Sequence, residues 1–315
     1  MIYTSPYPDV TIPDVALTTY VLEEARRLGD KPALVDGTTG ETTTYGSLPA
    51  RVERAAALLR LEGVDVGDVV ALAAHNQPSW AVAYLGAVAA GAAVTPMNPS
   101  LTAGEMRQQL GKSKASILVA DFRTMEKAGQ VASGLTTPRL LGLEELTAAG
   151  SNEGSGRGGA IAFDPRSALA ALPYSSGTTG LPKGVMLTHR NLVANLVQHE
   201  GVYPVTTDDV FLAVLPFFHI YGLSIILNAG LRHGATVVTL PRFDLDGWLE
   251  AIERHRVTWL HVAPRWSWPW RPGREPAGVT SPQWAMPSRV RLHSTPRWPD
   301  GPRPSSAAGS GRATG

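Results

Sequence analysis

The stretch from Tyr174 to Val185, Y-S-S-G-T-T-G-L-P-K-G-V, constrains this chain more than any other. Ser175, Ser176, Thr178 and Thr179 crowd around Gly177, and Gly180, Pro182, Lys183 and Gly184 follow. Such a run is not expected to form a regular helix or strand. Its glycines permit positive φ and close backbone approach, and its hydroxyls donate hydrogen bonds. Its one cation, Lys183, is a compact ammonium on a long stem, suited to meeting phosphate as a point charge. Upstream, Ala168–Tyr174 reads as a short buried strand, and downstream Thr188 opens a helical pattern. A hydroxyl-rich, Lys-bearing loop in that setting has the makings of a phosphate cradle. Linkers share this composition, but a solvated linker has no need of apolar segments on both sides or of an ending in L-P-K-G-V-M-L.

Around this loop, strand and helix alternate with short connections. Thr18–Leu28 has helical spacing, Pro32–Asp36 and Glu41–Tyr45 read as a hairpin turning at Gly37–Gly40, and Ser47–Leu61 as a helix stopped by Gly63. Strands follow at Asp68–Ala74, Ala92–Pro96 and Ala115–Ala120, with helices over Ser79–Ala90, after Thr102 and from Asp121 onward. Thr102 with Glu105 three residues on makes a capping box. Past the loop come helices Thr188–His199, Ile220–Leu231 and Leu245–His255, with strands Asp209–Leu215, Ala235–Leu240 and Thr258–Ala263. The pattern predicts an α/β fold, mostly parallel sheets flanked by helices. The Gly/Ser-rich run at 148–159 reads as a low-complexity loop within that fold.

With 315 residues, 43% apolar and 17% charged, the chain can bury a sizeable core. A net charge of +1 gives no reason to expect nucleic acid, and the absence of cysteine excludes disulfides, thiolate-held zinc and a Cys nucleophile. No apolar run approaches the ~20 residues of a membrane span; the longest, Ala81–Val94, is short and Gly-rich. Neither end of this reasoning gives an oligomeric state. The N-terminus shows no signal-peptide pattern, so the expected location is cytoplasmic.

Tyr174–Val185 is not the P-loop NTPase motif, because Lys183 lies between Pro182 and Gly184. At every position it resembles the phosphate-binding signature of the adenylate-forming enzymes: acyl-CoA synthetases, 4-coumarate–CoA ligases, luciferases and peptide-synthetase adenylation domains. A second stretch, L-P-F-F-H-I-Y-G-L at 215–223, resembles the same family's second signature; on its own it also fits a core aromatic cluster with a satisfied histidine. T-T-Y-G at 43–46 matches the family more loosely, and the opening Y-T-S-P-Y-P-D-V-T-I-P-D resembles that of 4-coumarate–CoA ligases and luciferases in particular. The resemblance covers residues 1–264 and implies the N-terminal part of that fold. It implies that Ser175, Ser176, Gly177, Thr178, Thr179 and Lys183 contact the phosphates of ATP. It implies that His219 and Tyr221 line the pocket for the acyl group, and that Arg242 stands where a Lys of the family contacts coenzyme A. An unpartnered surface arginine is an equal reading of Arg242. The implied chemistry is ATP- and Mg²⁺-dependent activation of a small carboxylic acid to an acyl adenylate, then transfer to coenzyme A.

Two features disagree with a working member. The family's Y-G-x-T-E motif is missing: neither Tyr45-Gly46 nor Tyr221-Gly222 is followed by T-E, and no Lys follows Lys183. Residues 265–315 also change character, with five of the eight Trp and eight Arg against only Glu275 and Asp300. R-W-S-W-P-W-R can be written in codons whose shifted frame reads V-V-L-A-L-A. The expectation is a frameshifted, unstructured tail on a chain whose catalytic site is incomplete. The rival readings are a non-catalytic phosphate-binding remnant, and an Arg/Trp-tailed interaction protein.

Overall fold

In the computed structural model, residues 5, 7–133, 138–148, 161–175 and 182–261 are described, together with the backbone of 291–293. The chain begins with helices α1 (Leu17–Val21) and α2 (Ala25–Leu28), then strands β1 (Pro32–Asp36) and β2 (Thr42–Thr44). Next come α3 (Leu48–Leu61), β3 (Val69–Ala73), α4 (Pro78–Ala89), β4 (Ala93–Met97), α5 (Ala103–Ser113), β5 (Ile117–Ala120), α6 (Met125–Ala132), β6 (Arg139–Gly142) and α7 (Leu143–Thr147). After these are β7 (Leu169–Ala171), β8 (Tyr174–Ser175), β9 (Lys183–Gly184), β10 (Leu187–Thr188) and α8 (His189–Glu200). The remainder is β11 (Val210–Ala213), a π-helix (Gly222–Asn228), α9 (Ala229–Arg232), β12 (Thr236–Thr239), α10 (Leu245–Arg254), β13 (Trp259–His261) and β14 (Arg291–His293).

The strands form two six-stranded sheets, ordered β14-β13-β11-β12-β1-β2 and β10-β7-β4-β3-β5-β6, and a two-stranded ribbon of β8 and β9. Within the large sheets only β1–β2 and β10–β7 pair antiparallel, so the expected mostly parallel α/β architecture holds.

The inner strands β3, β4, β5 and β11 are buried on both faces, as sheets covered on both sides require. Alternation then sorts the side chains into layers. Val70, Leu72, Ile117 and Val119 of one sheet and Leu34, Phe211, Ala213 and Val237 of the other share a single core. Helix α4 runs through that core, with Trp80, Tyr84 and Leu85 fully buried. It packs against α3 and touches β4 of one sheet and β1 of the other. The opposite faces bury separately. Ala71, Ala73, Leu118 and Ala120 lie against Met106 and Leu110 of α5 and Val131 of α6. Val35, Leu212 and Val238 lie against Ala251 and Ile252 of α10.

Local signals set the helix starts. Glu105 N–H donates to Thr102 Oγ1 at 3.3 Å while Thr102 N–H donates to Glu105 Oε2 at 2.8 Å. Thr188 and Asn191 cap α8 in the same reciprocal way.

Four expectations are corrected. The N-terminal helix breaks at residues 22–24, where Glu23 turns to pair with Arg232, whose guanidinium lies 4.0 Å over the Tyr20 ring. The helix expected from Asp121 begins at Met125, because Asp121 spends its carboxylate on Thr124 and His75 at the strand end. The helix expected over Ile220–Leu231 is largely π-helical. The strand expected over Ala168–Tyr174 stops at Ala171, and Tyr174–Ser175 then pair with Lys183–Gly184, expected to be irregular, as the ribbon of β8 and β9. The low-complexity run at 148–159 lies outside the described residues except Ala148, and the tail does so apart from 291–293, which pair in parallel with β13.

Two buried groups make the fold acid-sensitive. His189 is fully buried; its Nδ1 accepts from Leu17 N–H at 3.1 Å, and burial pushes its pKa down to about 4. The unfolded chain therefore takes up a proton there that the native state refuses as pH falls from 6.5 towards 4. At about 1.4 kcal/mol per pKa unit this removes up to ~3 kcal/mol of stability. Burial would raise Asp121, but hydrogen bonds from His75 and Thr124 outweigh it and hold the carboxyl at about 2. That stabilisation is present above pH 3.8 and is lost as pH falls through 2. Thermal melts between pH 7 and 4 should show a falling Tm. His189→Gln, which can still accept from Leu17, should flatten that slope; an unchanged slope would exclude His189 as its source. Burial also lowers His233 and His255, so a shallow slope persists in the variant.

Candidate functional site

Parallel strands place the two signature stretches. β7 runs parallel to β4, so Leu172–Tyr174 leave at the carboxyl edge of one sheet and lead into the ribbon. Leu172 N–H donates to Val94 O at 2.8 Å and Leu172 O accepts from Thr95 Oγ1 at 3.0 Å, which pins the ribbon's root to β4. Gln109 Nε2 supports Thr95 from α5 at 3.1 Å. Ser175 and Lys183 face each other across the ribbon, both exposed. Ser176, Gly177, Thr178 and Thr179 lie outside the described residues.

β11, β12 and β13 are mutually parallel, so the chain leaves each of them at one edge of the other sheet. The residues after β11 carry His219 and Tyr221, and those after β12 carry Arg242, which is exposed. Asn76, just past the carboxyl end of β3, bonds across to Leu215 and Phe217, so the carboxyl edges of the two sheets meet there. That edge is where open α/β sheets gather their ligands.

Phe217 points inward, fully buried with its ring 5.4 Å from Trp80. His219 points outward. Its Nδ1 accepts from Tyr221 N–H at 3.2 Å, so a neutral ring carries its proton on Nε2 and presents a donor to solvent. Tyr221 is half-buried; burial, with a smaller push from Tyr203, raises its hydroxyl to about 12, so it stays a neutral donor. Its ring stands edge-on to His261 at 6.1 Å, and His261 lies 4.8 Å from Phe211. Phe211 and His261 are themselves buried, so they back the half-buried Tyr221 ring from the core while His219 stands exposed beside it.

Sequence reasoning passed over Asn76, Gly222 and His261. A Cβ on Gly222 would lie 2.2 Å from Pro216 O, so only glycine lets the π-helix start so close to the preceding turn. The visible signal was Y-G one residue past His219. Nothing local singles out Asn76 or His261.

The chain belongs to the AMP-binding enzyme family, whose model matches residues 21–276. It is 38% identical over 284 residues to 4-coumarate–CoA ligase 3 and 40% over 271 residues to 4-coumarate–CoA ligase 5, both of Oryza sativa subsp. japonica. These matches cover 84% of this chain and 49% and 50% of the relatives, so the chain spans about half their length. Among solved structures it is similar to ATP-bound MatB from Rhodopseudomonas palustris, with a TM-score of 0.70 at 29% identity over 79% of this chain and 49% of that one. It shares the fold of the long-chain-fatty-acid-CoA ligase FadD1 from Archaeoglobus fulgidus, with a TM-score of 0.75 at 24% identity over 84% of this chain and 54% of that one.

Among the described residues no helix is long and apolar enough to cross a membrane.

Proposed function

We propose that this chain carries the N-terminal part of an ATP-dependent acid–thiol ligase, able to meet ATP phosphates and an acyl group but lacking the means to complete the reaction. In that chemistry a carboxylate oxygen attacks the α-phosphorus of ATP and pyrophosphate leaves. The thiol of coenzyme A then displaces AMP from the acyl adenylate. Lys183, Ser175 and the Ser176–Thr179 run stabilise charge on the phosphoryl oxygens. His219 and Tyr221 receive the acid, an aryl acid by analogy with the 4-coumarate–CoA ligases, and Arg242 is the candidate contact for coenzyme A. Among the described residues no cluster of acidic or histidine side chains forms a cation site. Magnesium enters with the ATP phosphates.

The observation that carries this reading is that both signature stretches emerge at carboxyl edges that meet. Calorimetric titration tests it. MgATP affinity should fall about tenfold or more in Lys183→Ala, the scale of a charge-assisted phosphate contact. Affinity for 4-coumarate should fall similarly in His219→Ala and Tyr221→Phe. Wild-type affinities that none of these substitutions moves would overturn it. The missing Y-G-x-T-E pattern favours a second reading, a phosphate-binding remnant without acid recognition. It predicts the Lys183 effect alone.

The tail after Pro264 is proposed to be a frameshifted reading. Resequencing the locus tests this, and an unbroken frame giving this protein would exclude it.

A further inference from the structure

We propose that Asn76 is a positioning residue for the Pro216–Gly222 segment and so sets where His219 and Tyr221 stand. The functional half of this rests on reading that segment as an acyl-pocket wall.

Asn76 is 5% exposed, on the chain leaving β3. Its Nδ2 donates to Ala213 O at 3.1 Å and to Leu215 O at 2.9 Å, and its Oδ1 accepts from Phe217 N–H at 2.8 Å. The two carbonyls and the one N–H fix which end of the amide is which. All three partners belong to one short piece of backbone, the end of β11 and the turn beyond it. That is where β11 leaves its ladder and its peptide groups need other partners. A primary amide supplies two N–H donors and an acceptor in one plane. Aspartate would set a carboxylate against two carbonyls, and glutamine would be one methylene too long.

The base under Asn76 is itself braced. Thr124 Oγ1 donates to Ala73 O at 2.7 Å, and Asp121 Oδ2 accepts from His75 N–H at 2.8 Å. Two residues beyond Asn76, Pro78 opens α4, and Trp80 on its first turn meets Phe217. Residues 73–80 therefore hold the 213–217 segment twice, by hydrogen bonds and by ring contact. The outward residues ride on that anchor. His219 N–H donates to Pro216 O at 3.1 Å, Tyr221 N–H donates to His219 Nδ1, and Gly222 lies against Pro216. A shift at 213–217 therefore carries the His219 donor and the Tyr221 ring with it.

The test is peptide-resolved hydrogen–deuterium exchange on the full 315-residue chain, wild type beside Asn76→Ala and Asn76→Asp. In the wild type the Phe217 amide should exchange slowly, and fast exchange there would overturn the proposal with no variant needed. In Asn76→Ala, amides 214–223 should exchange at least about tenfold faster while peptides from β5 and α8 do not change. Asn76→Asp should keep partial protection at Phe217, whose N–H still has an oxygen to meet, and serves if the alanine variant does not fold. No change over 214–223, or equal acceleration throughout the chain, would overturn the proposal. Binding supplies the split that a general core role would not give: weaker 4-coumarate binding in Asn76→Ala with MgATP affinity unchanged. Equal loss of both affinities counts against positioning. A wild type that binds no 4-coumarate would sink the acyl-wall reading and leave the exchange pattern to judge Asn76.

Discussion

Replacing Gly222 by alanine is expected to lower the melting temperature by roughly 6–12 °C. The added Cβ would meet Pro216 O at 2.2 Å and Pro216 C at 2.7 Å. Both are backbone atoms, so no side-chain rotamer relieves the clash, and the 216–222 turn must open. Overpacking of this kind costs about 3 kcal/mol, and each kcal/mol moves Tm by roughly 2–4 °C in a domain of this size. The same substitution at Gly111 gives the opposite sign. Gly111 sits inside α5 with nothing within 4 Å of its Cβ position. Gly111→Ala should therefore stabilise by about 0.5–1 kcal/mol through helix propensity alone. Calorimetric melts of the two variants, side by side, check both. Equal effects would mean that the crowding at Gly222 is not felt.

Supplied with ATP, magnesium, 4-coumarate and coenzyme A, the purified chain is expected to form no acyl adenylate above background. Adenylation depends on charge stabilisation around the phosphorus and on holding the nucleotide in line with the acid. On the proposed reading, Lys183 and its hydroxyl neighbours would serve the first need in part. The second falls, in the family pattern, to Y-G-x-T-E and to a late lysine, and neither occurs in this sequence. Removing one preorganised electrostatic group costs about 10²–10³ in rate. Groups that act as a unit do not multiply such losses, but the joint loss leaves only binding and partial phosphate stabilisation. Chromatographic detection of acyl-AMP, dependent on Lys183, would overturn this expectation.

The sequence was a good guide wherever the determinant is local. Thr102 with Glu105, and Thr188 three residues before Asn191, announce helix starts through side chains that satisfy their own backbone. The alternation of strand and helix with short connections announced mostly parallel sheets. The breaks have distant causes. Glu23 turns out of its helix to reach Arg232, Asp121 spends its carboxylate on His75, and Ser175 becomes strand only because Lys183 returns beside it. The short β6–α7 pair was passed over altogether, its four-residue strand an edge beside β5. In the candidate site, motif residues carry chemistry that composition can announce. Asn76 and Gly222 work through the geometry of a partner far away in sequence, and a single chain written in order does not display it.

The strand order also sets an order of assembly. Every strand of the sheet containing β3 lies between residues 69 and 188, so that sheet can close from one continuous stretch of chain. The other cannot. β1 comes first, yet its parallel partner is β12, with Leu34 opposite Val237. As the chain leaves the ribosome, the β1–β2 hairpin must wait with one ladder unfilled until nearly all the described residues have been made. Long-range parallel pairing of this kind is slow, and an open edge invites pairing with other chains. Capture of β1 by β12 therefore cannot precede synthesis of residues 236–239, and until then the β1 edge stays open to other strands.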